Sequence, residues 1–208
     1  MITITKVEVQ KRLTDRVNVY VDGEFYSGMS MDVCVKYGIK QGVQMPMEKL
    51  EEILLDSEKN IALNKTAKYM QSAMKTTKQI REYLKKKDYG KPVIDYVISK
   101  LEEYRYLDDT AYAKAYLDSY GKKIGKLKIR ANLKTKGISE NIINELLDDY
   151  QSNEDDILLL ALKKLGKKEP TYENLSKIMV FLASRGYDYD EIKHTLNRIK
   201  EQDHESWD

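Results

Sequence analysis

The 208-residue chain has one cysteine, Cys34, two histidines, His194 and His204, and no run of 18 apolar residues. A single cysteine excludes an internal disulfide framework and suits a reducing cytosol. Cysteine is among the residue types most often buried, so Cys34 is expected to pack rather than react. Without a long apolar run no membrane-spanning helix is expected. Asp15, Arg16 and Asp22 interrupt the N-terminal hydrophobics, so no signal peptide is expected either. The expected location is cytoplasmic. There is no P-loop, no G-x-S-x-G elbow, no zinc-ligand spacing and no glycine-rich dinucleotide fingerprint. Neither histidine has a nucleophile or metal partner in the sequence. The expectation is a non-enzyme without cofactor or metal.

Charge is plentiful and unevenly distributed. The formal balance is +2, but it resolves into −2 over residues 1–60, +11 over 61–137 and −7 over 138–208. Surfaces usually mix both signs, so a basic middle third points to a polyanion or an acidic protein surface as its counterpart.

The first thirty residues read as β. Ile2 and Ile4, then Val7 and Val9, alternate with a phase slip between the pairs, which predicts a bulge. Val17, Val19 and Val21 alternate into Asp22-Gly23, a strong hairpin signal. The spacing predicts a three-stranded meander of about 2–10, 16–21 and 24–28. A short helix from Met31 to Lys36 comes next, then a helix opened by Pro46 that carries Leu50, Ile53 and Leu54. This module serves either as an accessory domain or as an N-terminal cap for the helices after it.

The remainder repeats itself at a period of 49 residues. Ile129, Leu133 and Lys136 correspond to Ile80, Leu84 and Lys87, and to Ile178, Leu182 and Arg185. Gly137 corresponds to Asp88 and Gly186, and Ile143 to Ile94 and Ile192. A period of this size means one supersecondary unit stacked on copies of itself. Each unit reads as three helices, at about 58–74, 76–87 and 91–104, then 108–121, 126–136 and 139–150, then 153–166, 171–185 and 188–202. Thr76 with Gln79, and Asp188 with Glu191, have capping-box spacing. The fold class is mainly α: three tandem three-helix repeats forming a curved elongated array, preceded by a small β-meander with short helices. The expected domains are 1–57, 58–106, 107–151 and 152–208, the last ending in an acidic tail around Trp207 that is expected to fray.

Candidate contacts to a polyanion or an acidic protein lie on the second helices. Lys126, Lys128, Arg130, Lys134 and Lys136 surround the apolar stripe of Ile129 and Leu133. Lys78, Arg81 and Lys85 do the same in the first repeat. Helix-dipole compensation explains cations in a last helical turn, but not Lys78 and Arg81. The helical period spreads these residues over more than one side. At the junction Leu107-Asp108-Asp109, one aspartate can cap the next helix, and no third ligand makes a metal set. Gly137 supplies a left-handed helix end and Ser139 a cap for the next helix. Tyr112, Tyr116 and Tyr120 recur every four residues, as helix contact or, less simply, as a base-stacking platform.

The run from Thr77 to Leu84, then Tyr106-Leu107-Asp108-Asp109-Thr110-Ala111-Tyr112-Ala113, Gly125 and Ile129 through Ile138, resembles the bacterial RecX family. The segment from Val35 to Gly42 looks like the N-terminal extension of its low-GC Gram-positive members. Asp88 stands where that family usually has glycine. The resemblance, over roughly 60–200, implies a non-enzymatic modulator of the RecA recombinase, lying in the groove of the RecA–single-stranded-DNA filament and inhibiting it. The implied partners are RecA and single-stranded or double-stranded DNA, engaged by a monomer without a membrane. Two alternatives stand beside it: a DNA-coating protein acting in its own right, and a structural adaptor.

Overall fold

A computed structural model describes residues 1–205 of the chain. They divide into two compact units, one of Met1–Lys75 with Ile80–Leu107, the other of Thr76–Gln79 with the chain from Asp108 onward.

The first unit opens with strands β1 (Ile2–Val9), β2 (Arg16–Val21) and β3 (Glu24–Ser30), and a two-residue β4 (Gln44–Met45). They form an antiparallel sheet in the order β3-β2-β1-β4. Asp22 and Gly23 both take positive φ, 50° and 96°, as a tight hairpin that follows the strand twist requires. The phase slip in β1 is a real irregularity: Ile4 pairs with Val21 and Lys6 with Tyr20, which leaves Thr5 between them. The slip keeps Ile4 in the core with Val17, Val19 and Met29. α1 (Met31–Lys36) comes directly after β3. Cys34 is buried there, its Sγ donating to Ile39 O at 3.2 Å, and burial pushes its thiol pKa up.

Two expectations need correction. β4 was not expected, because two residues carry no alternation to read. The helix from Pro46 and the helix at 58–74 are one continuous element, α2 (Met47–Met70). No residue between them breaks a helix, and Leu50 and Ile53 belong to the sheet core while Ala62 belongs to the next. The joint with β3 is polar and satisfied: Ser30 N donates to Ser57 Oγ at 2.7 Å, and Ser30 Oγ to Asn60 at 2.9 Å. Against α2 pack α3 (Thr77–Lys85) and α4 (Lys91–Glu103), whose core comprises Ala62, Ile80, Leu84, Val97, Leu101 and Leu107.

The second unit holds α5 (Asp109–Tyr120), α6 (Lys126–Thr135) and α7 (Glu140–Leu147), then α8 (Glu154–Leu165), α9 (Tyr172–Ser184) and α10 (Tyr189–Glu205). Each triplet closes over its own core. The repeat-equivalent pairs Ile80/Leu84, Ile129/Leu133 and Ile178/Leu182 are all 0–1% exposed. Each such side chain contributes about 1.5–3 kcal/mol of burial, so the periodic positions organise the fold. α10 extends past its expected end at 202. The rest of the tail, with Trp207, lies outside the described residues, as does the side chain of His204.

Within the second unit one joint occurs twice. Gly125 N donates to Arg185 O at 3.0 Å and Leu127 N to Gly186 O at 3.1 Å. At the positions 49 residues earlier, Thr76 Oγ donates to Lys136 O at 2.7 Å, and Lys78, the counterpart of Leu127, donates through Nζ to Thr135 O at 3.0 Å, two residues before the counterpart of Gly186. In both, donors at the start of one helix satisfy the carbonyls that the end of another leaves open.

Candidate functional site

The basic side chains on α3 and α6 are mostly engaged within the protein. Arg81 pairs with Asp95 at 2.7 Å. Lys78 caps the end of α6 through Thr135 O, and Lys126 Nζ reaches Tyr150 O at 3.4 Å. Arg130 donates to Asn144 at 2.7 Å and to Glu140 at 3.3 Å, while Lys134 bonds the other oxygen of Glu140. The Lys134 hydrogen bond and charge, then the Arg130 charge, hold the Glu140 carboxyl below the usual carboxylate range. The Lys136 ammonium sits 5.8 Å from the ring centroids of both Tyr112 and Tyr116. Lys85 and Lys128 are exposed and make no ion pair among the described residues. Of the eight cations, Arg81, Arg130 and Lys134 are thus offset by two acids, Asp95 of α4 and Glu140 of α7, and the others keep their charge.

Both junction aspartates are caps. Asp108 Oδ1 accepts from Ala111 N at 2.9 Å at the start of α5, and Asp109 Oδ1 accepts from Thr77 N at 2.9 Å at the start of α3. In the tyrosine stripe, Tyr112 and Tyr116 pack against the α5–α7 core and Tyr120 is exposed. Tyr116 stacks on Tyr120 with centroids 4.6 Å apart, and its hydroxyl accepts from Asn132 at 2.9 Å. His194 is half exposed, with Nδ1 3.5 Å from Glu154. Among the described residues no group of histidine, cysteine and carboxylate side chains converges to hold a metal, and no helix is long and apolar enough to cross a membrane.

A second basic cluster was missed. Lys163, Lys164 and Lys168 at the end of α8 line the same two hollows as Arg185 at the end of α9 and Lys123 before α6, with Lys167 and Lys122 exposed beside them in the sequence. Two hollows of about 720 and 400 Å³ lie here, sharing Lys164 and Phe181 in their walls. Lys164 Nζ and the Arg185 guanidinium stand 5.4 and 4.8 Å from the centroid of the Phe181 ring. No ion pair engages any of these seven cations among the described residues. The run Lys163-Lys164-Leu165-Gly166-Lys167-Lys168 was the available signal, and averaging charge over an acidic third concealed it.

The sequence matches the RecX N-terminal domain over residues 2–45 and the first, second and third RecX three-helix domains over 62–101, 108–147 and 154–196. It is 33% identical to a regulatory protein RecX of Clostridium acetobutylicum over 95% of this chain and 96% of that one. It is 38% identical to a Clostridium botulinum counterpart over 94% and 95%. With the Bacillus subtilis counterpart it shares 30% identity over 97% of this chain and 79% of the relative. A crystal structure of regulatory protein RecX is similar in fold, with TM-score 0.72, 24% identity and coverage of 95% and 100%. The RecX structure from Lactobacillus salivarius gives TM-score 0.60 at 26% identity, over 70% of this chain and 96% of that one.

Proposed function

Since this chain belongs to the RecX family of regulatory proteins, we propose that it is a non-enzymatic regulator that binds the RecA recombinase and its single-stranded-DNA filament and inhibits their activity. The observation that carries this reading is the match to relatives named as regulatory proteins along nearly the whole chain, N-terminal module and all three repeats included. The architecture supports it in physical terms. A series of small helical units, each with its own core, offers repeated surfaces in place of one deep cleft, and such surfaces suit a repeating partner. Exposed cations beside apolar side chains can meet both phosphates and protein. In this reading the protein acts in the cytoplasm, in recombinational DNA repair and the SOS response, as a monomer.

The test is RecA-dependent ATP hydrolysis on single-stranded DNA, titrated with the protein well below the amount that coats the DNA. A fall in hydrolysis at low ratios of protein to RecA is the expected result. A fall only on coating would assign the protein instead to DNA competition, the second reading, which the unpaired cations favour. No effect from folded protein at any ratio would remove both and leave an adaptor.

A further inference from the structure

We propose that the α8–α9 end of the second unit is a single-stranded nucleic-acid site, with Lys163, Lys164, Lys167 and Lys168 as its phosphate contacts and Phe181 at its floor. The inference goes beyond the regulatory reading, because it concerns binding to the nucleic acid alone. Three observations converge on it. First, Arg81, Arg130 and Lys134 are paired with Asp95 and Glu140, and Lys78 and Lys126 with backbone carbonyls, whereas the four lysines at the end of α8 are all exposed and unpaired among the described residues. The adjacent carboxylate Glu173 is taken by Lys177 on its own helix. Unpaired ammonium groups at one helix end attract a phosphodiester chain, which gains free energy by releasing its counterions to them.

Second, the site is concave. Its two hollows share Lys164 and Phe181 in their walls, so a chain crossing both would pass Lys168, Lys164 and Lys163. Third, the floor is not polar. Phe181 is only partly buried, and Val180 beside it is 67% exposed. An unstacked base can cover such a surface, whereas a duplex presents mainly phosphates to it; this selects the single strand. Arg185 fixes the geometry by donating to Lys123 O at 3.1 Å, which holds the segment before α6 beside α9.

The experiment is fluorescence anisotropy of a labelled oligothymidylate with the full chain and no recombinase, repeated across a salt series. The triple variant Lys163→Gln/Lys164→Gln/Lys168→Gln should bind at least about tenfold more weakly at low salt, with a log–log salt slope shallower by about 2, at roughly 0.7 per lost contact. An equal charge change at Lys11, Lys40 and Lys91 should leave the slope unaltered. Unchanged affinity and slope in the folded α8 variant overturn the assignment. So does an α8 variant that binds the oligonucleotide normally but no longer inhibits the recombinase, since the surface would then meet acidic protein. If the wild-type chain binds no naked oligonucleotide yet inhibits RecA, this site is refuted and the regulatory reading stands.

Discussion

The side chain of Lys78 fills the space that a Cβ on Gly137 would need: its own Cβ is 2.5 Å from that point. Gly186 is in the same position against Lys128, at 2.4 Å from both its Cβ and its backbone nitrogen. Both glycines also have φ near +85°, so conformation and contact each demand glycine. Gly38, at φ +62°, has nothing within 4 Å. Gly38→Ala should therefore cost about 1 kcal/mol, from backbone alone. Gly137→Ala and Gly186→Ala should each cost about 2–4 kcal/mol, adding an overpacking penalty of roughly 1–3. Urea denaturation separates the two cases, and equal losses at all three positions would reject steric contact as the cause.

The two aspartates of the junction cap different helices, so their losses should be separable. Asp108→Ala and Asp109→Ala should each destabilise by about 1 kcal/mol. Asp109→Asn should retain most of the stability, since an amide oxygen can still accept from Thr77 N. Hydrogen exchange should show the first variant loosening the start of α5 and the second the start of α3. Protection lost at α5 alone in both variants would contradict the assignment.

Leu133 is 0% exposed at the centre of the α5–α7 core. Leu133→Asp removes about 2–5 kcal/mol of apolar packing and buries a carboxylate with no partner, which adds further cost. Circular dichroism should register loss of helix at room temperature. A cooperative native-like melt would mean that the repeat tolerates charge where the packing says it cannot.

The double variant Lys126→Glu/Arg130→Glu reports on the α6 face. Both residues hold internal contacts at or near the surface, so the variant should stay folded. Its binding to the recombinase filament should weaken. Full filament binding by the folded variant would remove α6 from the interface and leave α8–α9 as the principal basic surface.

Tyr187 is 3% exposed, and burial first, with the nearby Tyr150 and Glu191 next, pushes its phenol pKa up to about 12. Its folded value lies above the unfolded value of about 10. The neutral phenol is thus the form the fold retains, and its contribution is whole below pH 10. As pH rises from about 10 through 12 that contribution is lost. Stability should decline over this window, and Tyr187→Phe should flatten the decline. An alkaline limb identical in the two proteins would assign it to other groups, Tyr150 first among them, whose phenol burial also raises.

Much of the fold was legible because one residue pattern recurs three times. Ile80, Ile129 and Ile178 are all in cores, and both capping boxes form as their spacing implies, Gln79 accepting from Thr76 N and Glu191 from Asp188 N. The β-bulge was legible as a phase slip, because side-chain direction in a strand has period two. The union of two helices into α2 was not, since a continuous helix can pass from one core to another without changing its composition. The pairing state of the candidate site was not legible. A list of lysines does not say which of them find acids after folding, and Arg130 and Lys134 converge on Glu140 only once α7 returns alongside α6. The unpaired lysines of α8 sit in a third of the chain whose average sign is negative.

The recurring joint also sets how far such a series can grow. Its receiving end needs a residue without a side chain, as at Gly137 and Gly186, but the third equivalent position is Asp88, which reaches φ 60° with a Cβ in place. At the donating end, α9 begins three residues earlier than the 49-residue period places it, and Thr171 Oγ already accepts from Asn174 N. The cap at Thr171 leaves the donating end usable, since Thr76 makes the same cap and still donates to Lys136 O. A second copy extending the series by this contact would instead meet the Asp88 Cβ where both existing joints have glycine, and that single side chain is the obstacle to growth by open-ended stacking.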